Sequence, residues 1–149
     1  MNLETLFSFS SLLVMPFWLL LIFLPRWRVT ERVMAGPWVA APAALLYAGL
    51  VLPNFVEIFT AVSNPTLSGI TALLGDPTGA TIAWVHFLAF DLFVGRWVYL
   101  DGRARNISAW FISPILFFVL MLGPVGFLLY LVVRLAISRQ FSADGRSAL

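Results

Sequence analysis

The stretch Trp84–Asp101, WVHFLAFDLFVGRWVYLD, reads as a membrane-spanning helix, yet it holds the only histidine of the chain, His86, then Asp91 and Arg96 at five-residue steps. Ionisable groups at bilayer depth are costly, roughly 2.5–3.5 kcal/mol for Asp or Arg at a helix centre on insertion scales. A chain that keeps them there is expected to use them. The middle of this span falls near Ala89, three residues after His86 and two before Asp91. At 1.5 Å per residue both lie within about 5 Å of the midplane, and their directions differ by about 140°. A straight helix cannot aim both at one point, so they are not a local dyad. Each has its own partner on another helix, or they flank a cavity from two sides.

Composition places the whole chain in a bilayer. Of 149 residues 61% are hydrophobic and 11% charged, with a mean hydropathy of +0.96; a soluble domain carries about 25% charged residues. The net charge of +2 and the lack of a basic cluster give no nucleic-acid footprint. Without cysteine there are no disulfides, thiolate metal sites, Fe–S clusters or thiol nucleophiles. All nine basic residues are arginine, which excludes a lysine Schiff base to retinal. One histidine supplies too few ligands for a metal centre, and a haem held by His86 from two subunits would rest on that residue alone. No metal and no cofactor is expected. The partners expected are the lipid bilayer and an apolar ligand, and a homo-oligomer is one assembly open to such a chain. The N-terminus, MNLETLFSFSS, lacks the basic n-region and cleavage site of a signal peptide and the arginines of a transit peptide. The first apolar run is therefore expected to be retained, in a bacterial inner membrane.

A span needs about 20 apolar residues as a helix, and four segments meet that within a single membrane domain, residues 1–149. The expected architecture is all-α, four transmembrane helices in a small bundle, with spans at about 6–24, 33–59, 78–100 and 108–137. Pro25 ends the first, and Arg26-Trp27-Arg28 follows as a headgroup-level anchor. In the second, Ala40, Ala41, Ala43 and Ala44 allow close helix approach, while Asn54 and Glu57 share a face three residues apart. Residues 60–77 are too short and broken for a span and suit a re-entrant or interfacial piece. Gly75-Asp76-Pro77-Thr78 lacks the lysine of a phosphate loop; Asp76 is expected as an N-cap with Pro77 at the first helical position. Gly123-Pro124, with Gly126 just after, predicts a kink in the fourth span and room against its backbone. A polar, frayed tail is expected at 139–149. Arg26, Arg28 and Arg32 in the first loop and Arg103 and Arg105 in the third place both loops in the cytoplasm and both termini outside; Arg134, Arg139 and Arg146 oppose that orientation.

The polar residues leave several functions open. His86 and Asp91 could be interhelical glue, or general acid and base, since imidazole titrates near neutrality and hydrocarbon favours the neutral, proton-donating form of a carboxyl. Arg96 is expected as a tether to Asp91 or Asp101, or snorkelling to the headgroups. His86, Phe90, Phe93 and Trp97 form an aromatic face, and Trp84 lies on the face of Asp91 and Gly95.

These residues carry a resemblance. GDPTGATIAWVHFLAFDLFVGRWVYLDG, residues 75–102, with its Trp-x-His followed by Asp-Leu-Phe, and GPVGFLLY, residues 123–130, resemble the abscisic-acid-deficient-four-like membrane family, named for the plant neoxanthin synthase. The plant transit peptide has no counterpart here, so a bacterial member is expected. The resemblance implies a membrane-embedded isomerase acting on a carotenoid, a xanthophyll epoxide opened to an allenic alcohol, or on a related isoprenoid, with no redox cofactor. It would use His86 and Asp91 as acid and base, with Glu57 as a further catalytic candidate. Asn54 and Glu57 would bind a ring hydroxyl, Trp84, Phe87, Phe90 and Trp97 would line an apolar slot, and Arg96 would stand at its edge. The rival classes are a non-enzymatic pigment- or lipid-binding assembly protein and a small proton-coupled transporter running through Asp91 and Arg96.

Overall fold

A computed structural model describes residues 2–144, with side chains through residue 137. Among these residues the protein is all-helical, as expected. The order is α1 (Leu3–Phe23), α2 (Arg28–Ala35), a 3-10 turn (Pro37–Ala40), α3 (Ala41–Val51), a second 3-10 turn (Leu52–Asn54), α4 (Phe55–Ser63), α5 (Leu67–Gly75), α6 (Pro77–Ala104), α7 (Ala109–Leu122) and α8 (Pro124–Asp144). Three helical segments are long and apolar enough to cross a membrane: Leu3–Phe23, Pro37–Ser63 and Pro77–Ala104.

The second span differs from the expectation at its start. Gly36-Pro37 breaks the helix, so the apolar run begins at Pro37 and residues 28–35 form the separate α2. That helix is amphipathic: Thr30 and Met34, one turn apart, are buried, while Arg28, Glu31 and Arg32 are exposed. The Thr30 hydroxyl donates to the Leu24 carbonyl at 2.7 Å and pins α2 under the end of α1. The expected re-entrant piece at 60–77 holds the end of α4 and the nine-residue helix α5, capped by the Thr66 hydroxyl accepting from Gly69 N–H at 3.1 Å.

The third span starts where its cap was expected. Asp76 Oδ2 accepts from the amides of Thr78 (2.8 Å) and Gly79 (3.2 Å), with Pro77 at the first helical position. Those two amides, Gly79 first, hold the Asp76 carboxyl below its ordinary value. The helix ends at Asn106, whose φ of 56° is left-handed. Ile107 N–H donates to Gly102 O and Asn106 N–H to Arg103 O, the paired bonds of a Schellman stop.

The expected fourth span is not one helix. Gly123, at φ 31°, closes α7, and Pro124 opens α8. A side chain at Gly126 would run into the backbone of Phe118 and Val119, so α8 folds back along α7 instead of continuing it. The room predicted beside this glycine is filled by the preceding helix. Fourteen residues rise about 21 Å, short of a hydrocarbon core of about 30 Å. The chain continues as α8 to Asp144, and the remainder of the expected tail lies outside the described residues.

The residues sort into two compact units, one holding the chain up to Phe17 with Pro37–Leu92, the other Trp18–Gly36 with the chain from Phe93 onward. In the first, Val14, Val39, Ala43, Val85, Leu88 and Leu92 are buried together. In the second, Trp18, Leu21, Met34, Tyr99, Leu116 and Tyr130 form the core. The sequence divides unequally between them. All nine arginines belong to the second unit, and the first carries four acids, His86 and no arginine.

Candidate functional site

The buried stripe of α6 repeats at three- and four-residue steps through Ile82, Val85, Leu88, Ala89 and Leu92. His86 and Asp91 sit at its two edges, and both are half-buried. Counted at 100° per residue from His86, Phe90 lies at about 40°, Phe87 at about 100° and Asp91 at about 140°. The arc between the two ionisable groups is therefore occupied by Phe90 and Phe87, which the protein leaves 60% and 55% exposed. The two groups thus stand on either side of an uncovered apolar strip of α6.

The imidazole is fixed by rings. Phe90 stacks on it at a centroid distance of 4.7 Å, and Tyr47 of α3 meets it edge-on at 5.3 Å. Phe87 stands at 6.2 Å, also edge-on. Among the described residues neither His86 nor Asp91 makes a hydrogen bond or ion pair. The arrangement presents an imidazole and a carboxyl on either side of an exposed apolar strip.

Other expected residues take places of their own. Trp84 donates from Nε1 to Ser11 Oγ at 3.1 Å and stacks on Phe7, which ties α6 to α1. Asn54 donates to the Leu50 carbonyl at 3.0 Å within its own turn. Glu57 is exposed, and it lines with Asn54 and Thr60 an open groove of about 620 Å³. Among the described residues no hydrogen bond, ion pair or ring contact joins Asn54 or Glu57 to His86 or Asp91.

In the second unit Trp97 packs against Phe127 and Tyr130 of α8. Arg96 is a tether, but to neither aspartate. Its Nε donates to the carbonyls of Met34 (2.8 Å) and Gly36 (2.9 Å), and a terminal nitrogen donates to Ala35 O at 2.8 Å. These are carbonyls at the end of α2, where a cation is favoured by the helix dipole.

Two features escaped the sequence. Tyr47, a lone tyrosine in an alanine-rich run, is brought against His86 by α3. Asp101 gathers Arg105 (2.8 Å), Arg134 (2.9 Å) and the Tyr130 hydroxyl on one carboxylate oxygen. Tyr130 closes the GPVGFLLY stretch, which was the available signal.

Comparison with known proteins identifies relatives of the chain. A family model described as ABA DEFICIENT 4-like matches residues 5–130, from α1 through Tyr130. The chain is 27% identical over 144 residues to the chloroplastic protein ABA DEFICIENT 4 of Arabidopsis thaliana, covering 93% of this chain. It spans 64% of the length of that relative. No solved structure matches. The matched region takes in the helix carrying His86 and Asp91, the arginine tether and the reversal at Gly123, and the chain belongs to the ABA DEFICIENT 4-like family.

Proposed function

We propose that the protein is a membrane-embedded isomerase acting on a carotenoid, in the first instance a xanthophyll epoxide, or on a related isoprenoid. The observation that carries this reading is the pair His86 and Asp91, both without a hydrogen-bonding partner among the described residues, on either side of the strip formed by Phe87 and Phe90. Side chains serving only as glue between helices would be hydrogen-bonded there. A polyene lying on the strip would pass between the two groups. One would protonate the epoxide oxygen as its carbon–oxygen bond breaks. The other would take a proton from the neighbouring polyene carbon as the allene forms. One proton is given and one taken, so the reaction is redox-neutral and needs groups that exchange protons near neutrality. Tyr47 and Phe90 hold the imidazole in position, while Asn54, Glu57, Trp84 and Trp97 are candidates for contacts along a long ligand. Arg96 acts by holding α2, not by touching substrate. The host is proposed to be an inner membrane with the arginine-bearing loops toward the cytoplasm.

The test is expression in a host that accumulates violaxanthin, with pigment analysis. Parent protein is expected to yield the allenic product, and Asp91→Asn and His86→Ala to abolish it while remaining folded in detergent. Conversion by both variants at the parental rate would sink the proposal.

A further inference from the structure

We infer that the second unit carries a binding site for an anionic phospholipid, separate from the His86–Asp91 strip. Two cavities adjoin where α1 ends and α7 begins, sharing Pro25, Arg26 and Ala109. One is a polar cup of about 280 Å³, lined among others by Arg26, Arg103, Asn106 and Ser108. The other is a larger, mainly apolar groove of about 860 Å³, lined by Phe23, Trp27, Trp110, Phe117 and Phe118. A polar cup opening into an apolar groove has the shape of an amphiphile, head at one end and chain at the other.

Charge selects the head. Among the described residues Arg26 makes no hydrogen bond or ion pair, and neither the Asn106 nor the Ser108 side chain makes a hydrogen bond. Arg103 is already paired with Glu31 at 3.2 Å and donates weakly to Pro25 O at 3.4 Å. Tyr99 spends its hydroxyl proton on the same carbonyl at 2.9 Å. The cup thus offers one uncommitted guanidinium, one shared guanidinium and two neutral polar side chains, against the single carboxylate of Glu31. A phosphate with net negative charge fits that balance, and basic pockets at the cytoplasmic end of spans recognise such headgroups.

Length selects the tail. From Trp110 to Phe118 the groove follows α7 over a rise of about 12 Å. That is less than half of a hydrocarbon core of about 30 Å. It accommodates an acyl chain within one leaflet. A xanthophyll is neutral and long enough to cross both leaflets, so it matches neither the cup nor the groove. Trp27 and Trp110, 50% and 83% exposed, stand where interfacial tryptophans anchor at headgroup level.

The test uses the full chain in detergent, offered equimolar phosphatidylglycerol and phosphatidylcholine of identical acyl chains, with bound lipid counted by native mass spectrometry. The parent is expected to retain phosphatidylglycerol over phosphatidylcholine by roughly fivefold, which corresponds to about 1 kcal/mol. Arg26→Gln should bring the ratio close to one, with an unchanged melting temperature because Arg26 has no hydrogen-bond or ion-pair partner among the described residues. Trp110→Ala should lower retention of both lipids. Millimolar inorganic phosphate should leave the bound lipid in place. Equal retention of the two lipids by the parent, an undiminished preference in Arg26→Gln, or full displacement by inorganic phosphate would each overturn the site.

Discussion

At the scale of single residues, Arg96 shows how a charge inside an apolar helix can be held by backbone carbonyls. Three carbonyls at the end of α2 satisfy its guanidinium, two of them through Nε. Arg96→Ala should destabilise the fold by about 1.5–3 kcal/mol, the usual worth of a hydrogen bond to a charged group. Thermal unfolding in detergent reads that loss. Arg96→Lys should rescue it only in part, because an ammonium lacks the planar fork. Asp76 acts by charge at the other end of α6. Two amides hold its carboxyl low, so its stabilising charge is fully present above the ordinary carboxylate value and is lost as pH falls through the lowered one. Stability measured between about pH 2 and 5 should therefore drop on the acid side in the parent and drop less in Asp76→Asn, which caps without titrating. Equal acid sensitivity in the two proteins would refute the assignment. The cap was legible because Asp-Pro before an apolar run has one good use. The partner of Arg96 was not legible. The carbonyls it binds become available only once Gly36-Pro37 breaks the chain there, and nothing near Arg96 in sequence announces that.

At the scale of elements, α1 and α6 were read nearly to their ends, because a long apolar run bounded by proline or by a cap leaves few alternatives. The α7–α8 pair was not. A Gly-Pro pair is equally consistent with a kink and with a reversal, and the apolar run on both sides reads as one span. What decides is Gly126, which lets α8 lie against the backbone of Phe118 and Val119. Gly126→Val should destabilise the protein by at least about 1–3 kcal/mol through overpacking, whereas Leu128→Ala, at a position 60% exposed, should leave the melting temperature in detergent nearly unchanged. Equal effects of the two would show that the close approach does not matter. Asp101 ties the returning helix to α6 through Tyr130 and Arg134.

For the molecule as a whole, the break at Gly123-Pro124 leaves three helical segments with the length of a span among the described residues. Three segments have the length of a span and the short α7 and α8 double back, so the termini are expected on opposite sides, not both outside. Arg134 then falls on the same side as the arginines of the first and third loops and no longer opposes that orientation. Reporter fusions check this: a C-terminal fluorescent protein should be active in the cytoplasm and an N-terminal periplasmic reporter active outside. Cytoplasmic activity at neither end would restore four crossings. The candidate site was legible as far as residue types and their angular spacing, because both follow from helix geometry. Its rim of Tyr47 was hidden, since contact between helices depends on how they pack.

The order in which the chain is synthesised gives the hairpin at Gly123 one more consequence. The apolar run from Ala109 to Ile137 leaves the ribosome with nothing yet to mark it as two helices. Asp101 is made early and has only Arg105, four residues on, as its partner until Tyr130 and then Arg134 emerge and swing back to it. Biogenesis of this protein therefore finishes at its C-terminal end, and nascent chains stopped short of Tyr130 should be the ones that quality-control proteases remove.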